Sequence, residues 1–102
     1  MYESKYFNAG KVVWTQSINN VVAEHKQFGK EVLIALMRFL EKDWGDLDEE
    51  DKQTNEDALQ YSDDLYLLGA YKTCKGKIYI ITNRISETAG DNATTICFPD
   101  ER

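Results

Sequence analysis

The sequence predicts an α+β domain in which three helices pack on one face of a mainly antiparallel sheet. Three observations lead to this fold class: a short β-forming run before the helices, helical spacing of apolar residues in the middle of the chain, and strand-like segments after residue 64. They define the order β-α-α-α-β-β-β. The 102 residues, 42% of them hydrophobic, suffice for one core without metal or disulfide support, so residues 1–102 are expected to form a single domain.

The first strand is expected at residues 11–15, an apolar run that follows Gly10. Thr15 or Ser17 is the expected N-cap of a short helix after it. The strongest helical pattern begins at Lys26, where apolar residues recur at intervals of three and four. Its buried side is expected to consist of Phe28, Val32, Ala35, Leu36, Phe39 and Leu40, widened by Leu33 and Met37.

The central helix is expected to end at Trp44 and Gly45. Gly45 suits a left-handed residue just past the last turn, and Leu47 supplies the accompanying apolar contact. Trp44 is expected to pack against the end of this helix.

A third helix is expected from here to about Tyr61, with Ala58, Leu59 and Tyr61 facing inward. Asp46 or Asp48 is its expected cap. Glu49 follows Asp46 by three residues, which is the spacing of a capping box. The first turn is acidic, which the helix dipole favours, and contains Glu49, Glu50 and Asp51.

Three strands are expected to complete the sheet. Residues 65–72 and 77–82 form a hairpin in which Gly76 supplies the positive φ of the turn. Residues 94–98 form the last strand. Between them, residues 83–93 contain small and polar residues typical of a mobile loop.

The charge is concentrated in one segment. Residues 41–64 carry a net charge of −9, so the rest of the chain, which totals −6 overall, carries +3. Two interpretations stay open: the carboxylates imitate phosphates and occupy a basic groove on another protein, or they are a solvated helix face. The candidate binding residues are Asp43, Trp44, Asp46, Asp48, Glu49, Glu50, Asp51, Glu56 and Asp57.

The sequence offers little for catalysis or for a cofactor. A calcium loop starting at Asp46 fails because its sixth position, which requires glycine, is Asp51. His25 is the only histidine, and no nucleophile or nucleotide-binding motif is present. Cys74 and Cys97 are too few for a metal cage and are expected to be free thiols. We therefore expect no enzyme activity, no metal and no cofactor, and the net negative charge disfavours direct nucleic-acid binding.

No stretch approaches the ~20 apolar residues of a membrane span, and the N-terminus does not resemble a signal peptide, so a cytoplasmic location is expected. Four aromatic residues lie on predicted strands: Trp14, Tyr66, Tyr71 and Tyr79. If the helices leave them exposed, they form a dimer or partner surface; otherwise they belong to the core.

Several parts of the chain form a recognisable combination. They are residues 10–13 (GKVV) with Thr15, 43–46 (DWGD), 50–52 (EDK) with Asn55, Ala58 and Leu59, 78–82 (IYIIT) and 94–99 (TTICFP). In these parts the chain resembles a family of small proteins, often labelled plasmid-related, carried by mobile elements and phages of Gram-positive bacteria. Trp14 and the loop at residues 83–93 depart from the family's pattern.

The resemblance implies a bacterial or phage origin and a mobile-element setting. The family has no settled activity, so no catalytic role can be carried over from it. Small acidic proteins in that setting often inhibit host defence. The leading hypothesis is therefore a non-enzymatic, anti-CRISPR-like inhibitor that blocks a partner with a basic, nucleic-acid-binding surface. The alternative is a homodimeric structural or regulatory module of unknown ligand that uses its sheet face; a pocket for a small ligand at a dimer seam is a third hypothesis.

Overall fold

A computed structural model of the protein describes residues 3–61, 66–83 and 92–101. The helices are α1 (Gln16–Glu24), α2 (Lys26–Leu40) and α3 (Glu49–Tyr61). The strands are β1 (Lys11–Trp14), β2 (Leu67–Thr73), β3 (Gly76–Asn83) and β4 (Ala93–Cys97), followed by a 3₁₀ turn at Pro99–Glu101. The α+β class and the order β-α-α-α-β-β-β are confirmed.

The four strands form one mixed sheet in the order β1-β4-β3-β2. β1 runs parallel to β4, whereas the other two pairs are antiparallel. The register places Ile80 of β3 between Gly69 of β2 and Ile96 of β4. The core lies between this face of the sheet and the helices, and its strand residues are Leu67, Tyr71, Ile78, Ile80 and Ile96.

The N-cap of α1 is Thr15, one of the two residues predicted for this position. Its Oγ1 accepts a hydrogen bond from the amide of Ile18 (3.3 Å) and donates one to Glu101 (2.9 Å). The Glu101 carboxylate also accepts from the amide of Phe98 (2.9 Å). These hydrogen bonds, that from Phe98 above all, hold the pKa of Glu101 below its usual value. One carboxylate thus joins the 3₁₀ turn to the first helix.

The predicted end of α2 at Trp44 and Gly45 is wrong, because the helix ends four residues earlier, at Leu40. The left-handed residue just past the last turn is Lys42, with φ of 65°, whereas Gly45, which also has positive φ (75°), lies farther on in the loop. The amide of Lys42 donates to the carbonyl of Phe39 (3.1 Å), and that of Asp43 to the carbonyl of Arg38 (2.9 Å). This pair of bonds is a Schellman motif, which satisfies the last carbonyls of the helix without glycine.

At the start of α3 only one of the two proposed caps is used. Asp48 Oδ1 accepts from the amide of Asp51 (2.8 Å), and Glu49 is the first helical residue. The capping box between Asp46 and Glu49 does not form, because the amide of Asp46 instead donates to the carbonyl of Ala70 on β2 (2.7 Å). Pairing with the sheet therefore decides the path of the chain before α3.

Leu33 and Met37 are exposed on α2, not buried as predicted. The apolar stripe of α2 is wider than the surface that the sheet and α1 cover, so its outer edge faces solvent. The loop expected at residues 83–93 lies outside the described residues except for its ends, where Asn83 belongs to β3 and residues 92 and 93 precede and begin β4. No helix in the described ranges is long and apolar enough to span a membrane.

Candidate functional site

The nine candidate residues lie on one continuous unit, which consists of the loop at residues 43–48 and α3 as far as Asp57. We call the exposed carboxylates of this unit the acidic surface: Asp43, Asp46, Asp48, Glu49, Glu50, Asp51 and Asp57. Glu56 is half-buried and Trp44 is buried. The sequence pattern thus located one continuous surface, in which individual residues have different surroundings.

Asp43 is held by contacts within the molecule. Its carboxylate accepts two hydrogen bonds from the Arg38 guanidinium (2.8 and 3.2 Å) and one from the amide of Gly45 (3.1 Å). The hydrogen bond from Arg38 is the main reason that the pKa of Asp43 is lowered from its usual value. Its backbone carbonyl accepts from the hydroxyl of Tyr71 (2.7 Å). The charge of Asp43 is therefore largely neutralised by Arg38.

The Trp44 side chain lies in the core, with the Phe39 ring at a centroid distance of 5.5 Å and nearly perpendicular to it. Its indole Nε1 donates to Oε2 of Glu56 (3.3 Å). The other Glu56 oxygen is 3.1 Å from Nζ of Lys42. Both oxygens of Glu56 thus join α3 to the loop, and Trp44 supports the acidic surface from below.

Residues 44–46 also lie along the outer edge of β2. The amide of Ala70 donates to the carbonyl of Trp44 (3.1 Å), and the Ala70 carbonyl accepts from the amide of Asp46 (2.7 Å). Between them, Gly45 has φ of 75°, and a Cβ there would lie 2.0 Å from the Ala70 oxygen. Glycine is therefore required at this close approach, and the loop covers part of the edge that β2 would otherwise expose.

Asn55 holds this unit to the sheet, a structural role that was not predicted from the sequence. Its side-chain Nδ2 donates to the carbonyl of Leu68 (2.7 Å), and its Oδ1 accepts from the Leu68 amide (3.1 Å). The amide group thus replaces a strand partner at the β2 edge and is buried in doing so. The sequence did contain a signal for this role: an asparagine three positions before Ala58, on the side of the helix predicted to face inward.

Three members of the acidic surface point to solvent together. Glu50 and Asp57 lie seven residues apart, about two helical turns, and Glu49 lies one position before Glu50; all three side chains are exposed on α3. Glu49 Oε1 is 3.6 Å from Nζ of Lys52, and Asp57 Oδ1 accepts a hydrogen bond from the side-chain Nε2 of Gln53 (2.9 Å). These contacts leave the carboxylates accessible to a partner, because exposed pairs of this kind are strongly screened by water and weak.

The described residues contain no group of three or more histidine, cysteine or acidic side chains arranged to hold a metal ion. Cys97 is buried, and Cys74 is an exposed free thiol at the β2–β3 turn. A hydrogen bond to Glu31 raises the pKa of Cys74 above its usual value, which makes this thiol a poorer nucleophile at neutral pH.

The four aromatic residues that were predicted to lie on strands have different surroundings. Tyr71 is buried in the core, Tyr79 is half-buried, and Trp14 and Tyr66 are exposed. Trp14 is the last residue of β1, an edge strand, whereas Tyr66 precedes β2 and lines an open pocket together with Thr15, Ile81 and Thr95.

Comparison with protein families, with curated proteins and with solved structures gives no match to this chain. The resemblance to the plasmid-related family thus stays a prediction, and the acidic surface is interpreted from its own geometry.

Proposed function

We propose that the protein is a non-enzymatic binding protein whose acidic surface engages a partner with a basic, nucleic-acid-binding groove. The observation that carries this proposal is the set of exposed carboxylates on one short helix and the loop before it. A basic groove built to bind phosphates attracts such a surface. Occupying the groove blocks nucleic acid from it, which makes the protein an inhibitor.

The contacts that hold the acidic surface in place favour binding. The loop at residues 43–48 is paired with β2, α3 is held by Asn55, and Trp44 and Lys42 both contact Glu56. A surface fixed in this way loses little conformational freedom on association, so more of the interaction free energy is available for affinity.

Electrostatics supports the same assignment through the rate of association. A concentrated negative field attracts a basic partner over distances up to the Debye length, about 8–10 Å at physiological salt. Association is then fast at low salt and slower at high salt. A solvated helix face without a partner would produce the same electrostatic field, so the proposal has to be tested by measuring binding.

The resemblance to proteins of mobile elements and phages suggests the setting. In it, the partner is a nucleic-acid-handling protein of bacterial host defence, such as a CRISPR effector, and the inhibitor acts in the host cytoplasm. The alternative, a homodimeric structural or regulatory module that uses its sheet face, stays a prediction; a different pairing surface, on α2, is argued in the next subsection.

The test is an affinity pull-down from a lysate of a Gram-positive bacterium at two salt concentrations. We expect a nucleic-acid-binding protein to be retained at low salt, lost at high salt and displaced by added duplex DNA or RNA. A variant with Glu49→Lys, Glu50→Lys and Asp57→Lys is expected to retain none of it. Capture that is unchanged by these three substitutions would exclude the acidic surface as the binding site.

A matched variant separates local charge from total charge. Glu3→Lys, Glu24→Lys and Asp100→Lys change three exposed acidic residues outside the acidic surface and alter the net charge by the same amount. This variant is expected to bind like the original protein. Circular dichroism checks that both variants fold, since lysine in the first turn of α3 opposes the helix dipole by about 0.3–1 kcal/mol per residue.

A further inference from the structure

Helix α2 carries an apolar surface on the side away from the sheet. Leu33, Ile34 and Met37 are 45%, 60% and 53% exposed. Beside Leu33, an apolar groove of about 540 Å³ separates α2 from β1, and its wall includes the exposed side chains of Val13 and Trp14. Grouped apolar exposure of this kind marks an interaction surface.

The charges on this side of α2 follow an ordered pattern. Counted from Lys26, intervals of four, seven, eleven and fifteen residues place Lys30, Leu33, Met37 and Glu41 on one side of the helix. The stripe is therefore basic at its start, apolar in its middle and acidic at its end. Within the described part of the chain, Lys26, Lys30 and Glu41 form no ion pair.

A stripe with this pattern is complementary to a second copy of itself in the antiparallel direction. The midpoint between Lys26 and Glu41 lies between Leu33 and Ile34, at the centre of the apolar part. A two-fold axis at that point brings each Lys26 to the partner's Glu41 at the two ends of a contact about 22 Å long. The parallel arrangement would instead oppose like charges.

We propose that α2 is the interface of an isologous homodimer, with Leu33 and Ile34 at the two-fold axis and ion pairs between Lys26 and the partner's Glu41 at both ends. The aliphatic stem of Lys30 covers the partner's Met37, as long basic side chains do at helix contacts. The groove beside Leu33 extends the apolar contact toward Trp14. The interface is separate from the acidic surface on α3.

The charge pattern provides the sharpest test, because the interface is symmetric. Lys26→Glu and Glu41→Lys each turn both end contacts repulsive, and we expect each to weaken dimerisation about tenfold at low salt. The double variant restores both pairs in reversed order and is expected to recover the original dimerisation constant. Neither change opposes helix formation, since glutamate at a helix start and lysine at its end suit the dipole. Sedimentation equilibrium over a wide concentration range measures the constants.

The apolar centre is tested with Ile34→Glu, which places two carboxylates at the two-fold axis and is expected to leave a monomer. Thr54→Glu adds the same charge to an exposed residue of α3 and is expected to leave the dimer intact. A protein that is monomeric at every concentration, a double charge variant that does not recover, or equal effects of Ile34→Glu and Thr54→Glu would each overturn the proposal. Thermal unfolding of every variant separates a lost interface from a lost fold.

Discussion

Arg38 and Asp43 are joined both through their side chains and through their backbones at the end of α2. The guanidinium donates two hydrogen bonds to the carboxylate, and the amide of Asp43 donates to the carbonyl of Arg38. Asp43 and Arg38 occupy positions C″ and C3 of the Schellman motif. In such motifs, the residue at C″ frequently makes an apolar contact with the residue at C3 or C4. Here an ion pair takes that place, and since the same carboxylate accepts from Gly45, it also fixes the start of the loop that carries the acidic surface.

Asp43→Asn is expected to lower the free energy of unfolding by about 1 kcal/mol or less, because both side chains of the pair are about half exposed and water screens them. The hydrogen bond from Arg38 lowers the pKa of Asp43. The stabilisation is therefore complete at neutral pH and is lost as the pH falls through the folded-state pKa. Urea unfolding of both proteins at neutral and acidic pH measures this. A difference that does not shrink on acidification would contradict the role of the charge.

Asn55→Ala is expected to be much more destabilising. It leaves both the amide and the carbonyl of Leu68 without their partner at a buried edge, at a cost of about 2–4 kcal/mol for the two groups. Thr54→Ala is the control on the same helix, because Thr54 is exposed and its change is expected to stay within about 0.5 kcal/mol. Denaturant unfolding compares the two. Equal effects would show that Asn55 does not support the β2 edge.

Alanine substitutions at two glycines with positive φ distinguish the cost of backbone strain from the cost of a steric clash. Gly45→Ala and Gly76→Ala both place a side chain on a left-handed backbone, which costs about 1–2 kcal/mol. At Gly76 nothing lies within 4 Å of the added Cβ, whereas at Gly45 the Ala70 oxygen would be 2.0 Å away. Gly45→Ala is therefore expected to destabilise by several kcal/mol more, because the loop must leave β2. Thermal unfolding of the two variants tests this; similar melting temperatures would contradict it.

The sequence was sufficient for the fold class because the local signals agree with one another. The apolar spacing of α2, the acidic first turn of α3 and the glycine of the β2–β3 turn each predict their element independently. The end of α2 was not predictable in the same way. Lys42 occupies the left-handed position just past the helix that composition assigns to Gly45, and it does so beside Glu56 and Tyr6, which are distant in sequence.

The sequence predicted where the candidate site lies in the chain, but not what each of its residues does. Charge counting found the acidic segment, because charge is a property of composition. It did not separate Asp43 and Glu56, which hold the loop, from Glu49, Glu50 and Asp57, which face solvent. That distinction depends on the bridge between the loop and β2, a contact between residues more than twenty positions apart.

A buried pair of hydroxyls attaches the N-terminal segment to the sheet. Thr94 Oγ1 donates to the carbonyl of Ala9 (2.7 Å) and lies 2.6 Å from Thr82 Oγ1. Since Thr94 has a single hydroxyl hydrogen, Thr82 is the donor in the second bond. Thr94→Val leaves both the Ala9 carbonyl and the Thr82 hydroxyl unpaired, whereas Thr82→Val removes only one bond.

We therefore expect Thr94→Val to lower the free energy of unfolding by about 2–3 kcal/mol and Thr82→Val by about 1 kcal/mol. The double variant is expected to cost less than the sum, because after Thr94→Val the Thr82 hydroxyl has already lost its partner. A double-mutant cycle by denaturant unfolding measures the coupling. Strict additivity would contradict the hydrogen-bonded chain from Thr82 through Thr94 to Ala9, whereas coupling of about 1 kcal/mol would establish that these groups act together.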